Sequence, residues 1–408
     1  MLAAVLFATS LSLDDAARLA LQQASAYNQA QNEERAAALD VTQARAALLP
    51  RLRDAFTATY NKPLHRGSEE PAFIAQNAAR EYQNLFGVEG TLDFGTRAAV
   101  ERARALLAAA HAGTEMARRA LVRGVREAYY GYALAVAKRR SADDALAAAE
   151  EFERVTALQA KGGEVADVDA VRARLQTAQR RDEAEQARAQ EAIAAAGLRT
   201  LVGYAAAQEL AVDALTAQPS VADVERFTAS LRPEVQQAEA QLRAARADID
   251  VARGARLPAL AYSADQGFDS PSLHAGDIRQ HRGYLVTANV NVPIFDWGSA
   301  RARQRQAELR AQSAETQLAI VRRAVDQEFV TARESALAAV RRADNARAAV
   351  ADAQRNADVS IARYRAGEAP IVEVTDALTT LAQQRANFTQ ALFDYEMALA
   401  RLQEAAGE

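Results

Sequence analysis

The stretch LDFGTRAAVERARAL at residues 92–106 returns as FDWGSARARQRQAEL at 295–309, with Asp296 and Gly298 repeating Asp93 and Gly95. LLPRL at 48–52 returns as RLPAL at 256–260, and KGGEVADV at 161–168 returns as RAGEAPIV at 365–372. The echoes keep their order and lie about 203 to 208 positions apart, so the chain is a tandem duplication of one unit. Any fold assigned to it must be built twice.

Within each unit the period of the apolar residues changes along the chain. Residues 12–49 read as a helix, with Asp14 and Asp15 in its first turn and Pro50 ending it. RDAFTATYNK then alternates, placing Phe56, Ala58 and Tyr60 opposite Thr57, Thr59 and Asn61, and NLFGVEGTLDF does the same through Phe86, Val88, Leu92 and Phe94. A polar loop, residues 63–83, joins the two. From Arg97 the helical pattern runs unbroken to Lys161, a length on the order of 100 Å at the usual rise, and returns after Gly162 and Gly163 to about Gly197. A helix that long belongs to a coiled-coil or bundle element. The second unit repeats the scheme: a helix over 233–256, strands PALAYSADQGF and YLVTANVNVPIF around a polar loop holding His274 and His281, then a helix to the YRAGE turn and a return to Leu402.

The division follows as residues 1–10, an export-signal remnant; 11–203, the first repeat, with its hairpin near 53–94 and turn at 161–164; 204–230, a mixed connector; and 231–408, the second repeat, with its hairpin near 258–295 and turn at 366–370. The opening MLAAVLFATS has the small-residue exit of a secretory segment, although no Lys or Arg precedes it.

YLVTANVNVPIF carries the most information. Tyr284, Val286, Ala288, Val290, Val292 and Ile294 form one apolar face and Thr287, Asn289 and Asn291 a polar one, over about the 9 to 11 residues a tilted strand needs to cross a bilayer. No helical stretch offers the roughly 18 consecutive apolar residues of a spanning helix. If the chain spans a membrane it does so with strands, lipid outside and water inside, the alternative for one such segment being a half-buried strand of a soluble sheet. Four strands cannot close, since the smallest membrane barrels have about eight, so several chains must share one barrel.

Composition narrows the chemistry. The chain has 49 basic and 53 acidic residues, a net charge of −4, and lacks the basic excess that nucleic acid requires. It has no cysteine, which removes disulfides, thiolate metal sites and Cys nucleophiles. Half of its residues are apolar, yet only 6% are aromatic, which suits close-packed helices better than a bulky globular core. No nucleophile elbow, phosphate loop or paired His at ligand spacing is present, so neither enzyme activity, a cofactor nor a metal site is expected. His65, His274 and His281 read as solvated loop residues and His111 sits alone in a helix.

In order and twofold recurrence, LSLDDAARLAL, both LPxL strand entries, both Asp-x-Gly strand exits, GEVADVDAVRARL and YRAGEAPIVEVTDAL make the whole chain resemble the TolC-type outer-membrane efflux ducts. The resemblance implies a mainly α fold with a membrane β-barrel portion: a homotrimer with one twelve-stranded barrel in the outer membrane and a periplasmic tunnel of long helices. It implies a passive duct of a tripartite efflux or type I secretion system, partnered by a periplasmic adaptor protein and an inner-membrane pump. The two helix turns would be the periplasmic tips, with Gly162, Gly163, Glu164, Gly367 and Glu368 at the adaptor. Glu373 and Asp376 would line the pore entrance, and Asp167 would face Tyr364 and help hold the closed state. Ala369 stands where the family's best-known member has a basic side chain, so that tether is missing and a tightly locked closed state is not implied. Carboxylates at 373 and 376 also suit a helix start after Pro370 whatever the pore does. The competing reading is a soluble coiled-coil scaffold or adaptor whose alternating stretches form a small soluble domain.

Overall fold

The computed structural model describes residues 11–60, 80–163, 165–205 and 210–407, so the export-signal segment, Glu164, His65 and most of the first polar loop lie outside the described residues. It divides into two units, one comprising residues 32–112 and 236–320 and the other comprising the remainder. Helices α3 (Phe94–Lys161) and α8 (Ser299–Arg365) contribute residues to both.

The first of these units holds a four-stranded antiparallel sheet in the order β1 (Arg51–Tyr60), β2 (Arg80–Leu92), β3 (Ala259–Ser270), β4 (Arg282–Asn291). β2 begins earlier than its alternation indicates, within the expected loop, because Arg80 to Gln83 find ladder partners in Tyr60 to Thr57. β4 ends at Asn291, four residues before the expected Phe295. Its partner strand begins at Ala259, opposite Asn291, and Pro293 has no N–H to give. The second polar loop contains a short helix, α7 (Ala275–Gln280).

Helix entry in this unit is built on the two repeated aspartates. The Asp93 carboxylate accepts from Thr96 N–H at 2.7 Å, and Asp296 accepts from Gly298 N–H at 3.1 Å and Ala300 N–H at 2.6 Å. Each thereby satisfies orphan donors of the following long helix. The second repeat spends two more residues on the turn: Trp297 and Gly298 both take positive φ, 55° and 82°, where Phe94 and Gly95 are already helical. Nearby, a Cβ on Gly254 of α6 (Pro233–Gly254) would lie 2.4 Å from Gly95 N, so the two backbones meet where neither carries a side chain.

The other unit is helical. The expected single helix over 12–49 is two, α1 (Leu13–Gln23) and α2 (Ser25–Ala46), separated by extended Ala24. The break loses little hydrogen bonding, because Ala24 N–H still reaches Ala20 O and Ala24 O accepts from Asn28 N–H. α1 packs on α3 and α4 (Asp167–Val202) through Ala16, Ala20, Val125, Tyr129, Leu198 and Val202, and Tyr129 donates to Leu11 O at 2.9 Å. The connector holds a one-turn helix, α5 (Val221–Glu225), whose Val224 enters a second core with Ala336, Val340, Tyr395 and Leu402 of α8 and α9 (Ile371–Ala406). Alanines dominate this second core, which allows the long helices to lie close together there, whereas the first core mixes alanine with Leu, Val and Tyr.

Candidate functional site

The register of the sheet decides what its two faces are. Opposed residues in an antiparallel pair share a face, and every pairing here joins even to even and odd to odd positions. The even face therefore gathers Leu52, Phe56 and Tyr60 with Phe86, Val88 and Leu92, then Leu260 and Tyr262, then Tyr284, Val286 and Val290. Large apolar groups on it are open: Leu52 is 72% exposed, Val286 71% and Val290 66%. The alternation of each strand, read one at a time, thus adds up to one largely apolar surface, interrupted by Asp54, Asn84 and Gln266, with its large apolar groups left open by the described residues.

The odd face is polar. Arg53 pairs with Glu89 at 3.1 Å and approaches Asp265 at 3.5 Å, and Gln83 donates to Asp269 at 3.3 Å. Asp265 is buried because it lies over Gly87, its register partner, where a Cβ would stand 2.3 Å from its Oδ1. On the apolar face Tyr262 lies in the same way over Gly90, its own partner. Among the described residues β1 and β4 each have one unpaired edge.

The turns between the paired helices lie in the helical unit. Gly163 and Gly367 both take the left-handed conformation, φ 75° and 74°, and Gly367 N–H closes the end of α8 onto Tyr364 O at 3.0 Å. Gly162, Gly163, Gly367 and Glu368 are exposed, and the space around both left-handed glycines is open.

Below the second turn, Tyr364 is buried against Phe152, Ala173, Ile371 and Val374, its ring 5.7 Å from that of Phe152. Burial pushes its phenol up, opposed by the Thr156 hydroxyl beside it and assisted by the carboxylate of Asp169. Within one chain, then, it is Asp169 that acts on Tyr364, whereas Asp167 is exposed in the first turn of α4. The repeat offset marks Asp169 as well: it is the counterpart of Glu373, 204 positions on.

Glu373 is not free. Arg363 donates to its Oε1 at 2.7 Å across the turn, and Ser360 lies at 3.4 Å. Asp376 is exposed and forms no ion pair among the described residues. A basic partner for the first carboxylate thus comes from the last turn of α8 instead of from position 369. Arg363 carries no sequence signal of its own, since Arg365 in the same last turn is equally basic and only the geometry of the turn selects between them. Among the described residues no three His, Asp or Glu side chains gather as a metal site. His274 and His281 flank α7, the first beside the Ser272 hydroxyl at 2.8 Å and the second beside Asp277 O at 2.8 Å.

An open four-stranded sheet with one apolar face, joined to helices of 68 and 67 residues, is the fold of an outer-membrane channel. The CusC structure superposes with a TM-score of 0.85 at 19% identity, over 98% of this chain and 92% of that one. The outer membrane protein VceC from Vibrio cholerae does so at 0.83 and 21%, over 97% and 96%. The chain belongs to the outer membrane efflux protein family, whose model matches residues 16–204 and 228–408 in two segments. Family membership places it in the outer membrane and decides against a soluble scaffold. Among curated relatives, the pyoverdine export outer membrane protein OpmQ of Pseudomonas aeruginosa is 35% identical over 182 residues, 44% of this chain and 36% of that protein. TolC of Vibrio cholerae is 25% identical over 208 residues, 46% of this chain and 47% of that protein. The chain therefore matches about a third to a half of the length of these relatives.

Proposed function

We propose that the chain is one subunit of a homotrimeric, passive outer-membrane duct that receives substrates from an inner-membrane pump through a periplasmic adaptor. The observation that carries this reading is the sheet: one face largely apolar across all four strands, the other mostly polar and charged, and an open edge on each side among the described residues. Unpaired edges cannot persist in hydrocarbon, because each free N–H and C=O costs several kcal/mol there. Joining β4 of one chain to β1 of the next satisfies them, and three chains of four strands make a twelve-stranded barrel with the apolar face to lipid. A polar lumen lined by Arg53, Glu89 and Asp265 passes water and solutes without chemistry of its own.

The exposed turns at Gly162–Gly163 and Gly367–Glu368 are the docking tips in this reading, and Glu373 and Asp376 face the pore entrance. OpmQ exports pyoverdine by its name; export of a secreted compound is the role that follows by similarity. The deciding experiment combines outer-membrane fractionation with native mass spectrometry and single-channel recording of the detergent-extracted protein. Trimers that conduct in planar bilayers are expected; a stable, membrane-inserted monomer overturns the assembly.

A further inference from the structure

The end of the sheet that carries the β1–β2 and β3–β4 connections sorts its charges by face. On the apolar face the outermost charged residues are Arg80 and Arg282, both exposed and neither in an ion pair among the described residues. On the polar face at the same end stand Glu81 and Asp269. The one carboxylate at a strand position of the apolar face, Asp54, lies further in and accepts a hydrogen bond from Asn84 at 2.8 Å. Aromatic rings sit directly beside the two arginines: Tyr60 is the register partner of Arg80, and Phe268 that of Arg282.

This is the chemistry of an anionic lipid surface. Guanidinium groups bind phosphate through parallel hydrogen bonds, and Tyr and Phe bodies settle at the boundary between acyl chains and headgroups. A merely solvated rim has no reason to segregate cations to one side of the sheet and anions to the other. We propose that Arg80 and Arg282 bind the phosphates of anionic lipid in the leaflet at the hairpin end of the barrel, with Tyr60 and Phe268 as the apolar floor beneath the headgroups. The inference rests on the reading of the even face as the lipid face and adds to it a specific class of lipid. Each arginine near a charged surface favours anionic over zwitterionic lipid by about fivefold.

The test uses the full chain, reconstituted as the trimer into nanodiscs of equal phosphatidylcholine and phosphatidylglycerol, with retained lipids counted by native mass spectrometry after detergent transfer. The wild type is expected to retain phosphatidylglycerol preferentially, by about fivefold per arginine. Arg80→Gln/Arg282→Gln is expected to insert with the same yield and lose the preference, whereas Arg51→Gln, on the polar face at the other end, keeps it. Should the double variant insert poorly, each single variant reports its own fivefold step. Equal retention of both lipids by the wild type overturns the proposal and leaves the lipid face standing. Displacement of the retained lipid by millimolar inorganic phosphate also overturns it, assigning the arginines to a free anion. A wild type that does not insert into this bilayer removes the lipid-face reading and the proposal together.

Discussion

Arg363 and Glu373 form a half-exposed pair, with side chains 47% and 34% open, and such a pair contributes only about 0 to 1 kcal/mol to stability. Its significance is electrostatic: the arginine neutralises one of the two carboxylates assigned to the pore entrance. Arg363→Ala is expected to leave thermal stability nearly unchanged while raising cation selectivity in bilayer recordings, because Glu373 regains its full charge. An unchanged selectivity would show that Glu373 lies outside the ion path. Glu115 on α3 is the converse case, in which a charge matters to the fold. Hydrogen bonds from Arg118, aided by Arg119, hold its carboxyl down to about 2 against the opposing effect of burial. A depressed carboxyl stabilises the folded state above its unfolded value near 4.5, and that contribution is lost as pH falls from there toward 2. Glu115→Gln is therefore expected to lower the melting temperature at pH 7, with the gap from wild type closing by pH 2. Neither pairing was plain in the sequence, for different reasons. Glu115, Arg118 and Arg119 have helical spacing but sit among many equivalent Arg and Glu residues, whereas the turn before Pro370 was legible but not which of the basic residues Arg363 and Arg365 at the end of α8 faces Glu373 across it.

At the scale of elements, the Gly95–Gly254 contact fixes how closely α3 and α6 approach beside the sheet. Gly254→Ala places a methyl 2.4 Å from backbone nitrogen, which cannot rotate away, so the helices must separate. A loss of about 1 to 3 kcal/mol is expected, the usual cost of overpacking, measurable as a lower melting temperature. Gly276→Ala, whose Cβ meets open space, serves as the control. The sheet faces give a second paired test. Val290→Arg should impair membrane insertion by about 2 to 4 kcal/mol if the residue lies near the bilayer midplane, while Asn289→Arg on the polar face should insert normally and change conductance. Identical behaviour of the two would dissolve the assignment of inside and outside. The strands were legible because alternation is a local signal, carried by residues such as Val286, Thr287, Ala288 and Asn289. Their ends were not, because they depend on the partner: Arg80 joins β2 through Tyr60, and β4 stops where Ala259 begins its neighbour. The extended residue at Ala24 interrupts a pattern with no Gly or Pro to announce it.

At the scale of the whole molecule, the duplication accounts for much of the architecture: one unit supplies two strands and a long helical hairpin, and its repetition completes a four-stranded sheet with both edges open. The repeats are nevertheless unequal where the proposed entrance lies. Position 169 of the first turn region is Asp, beside buried Tyr364, and its counterpart 373 is Glu, tied to Arg363; Arg172 of the first repeat, itself 3.7 Å from Asp169, corresponds to Asp376 of the second. Of the two carboxylates assigned to the entrance, only Asp376 lacks an ion-pair partner among the described residues, which puts three such groups in the proposed trimer. Three carboxylates around a threefold axis repel one another and attract multivalent cations, and the three Glu373 groups join them when Arg363 is drawn away. Trivalent cations added on the helical side of a single trimer are therefore expected to reduce its conductance. Asp376→Asn alone should remove most of that block, because Glu373 is already neutralised, and Glu373→Gln alone should remove little. The reverse ranking would mean that Arg363 does not hold Glu373 in the assembled pore, and equal block in the wild type and both variants would place the constriction elsewhere.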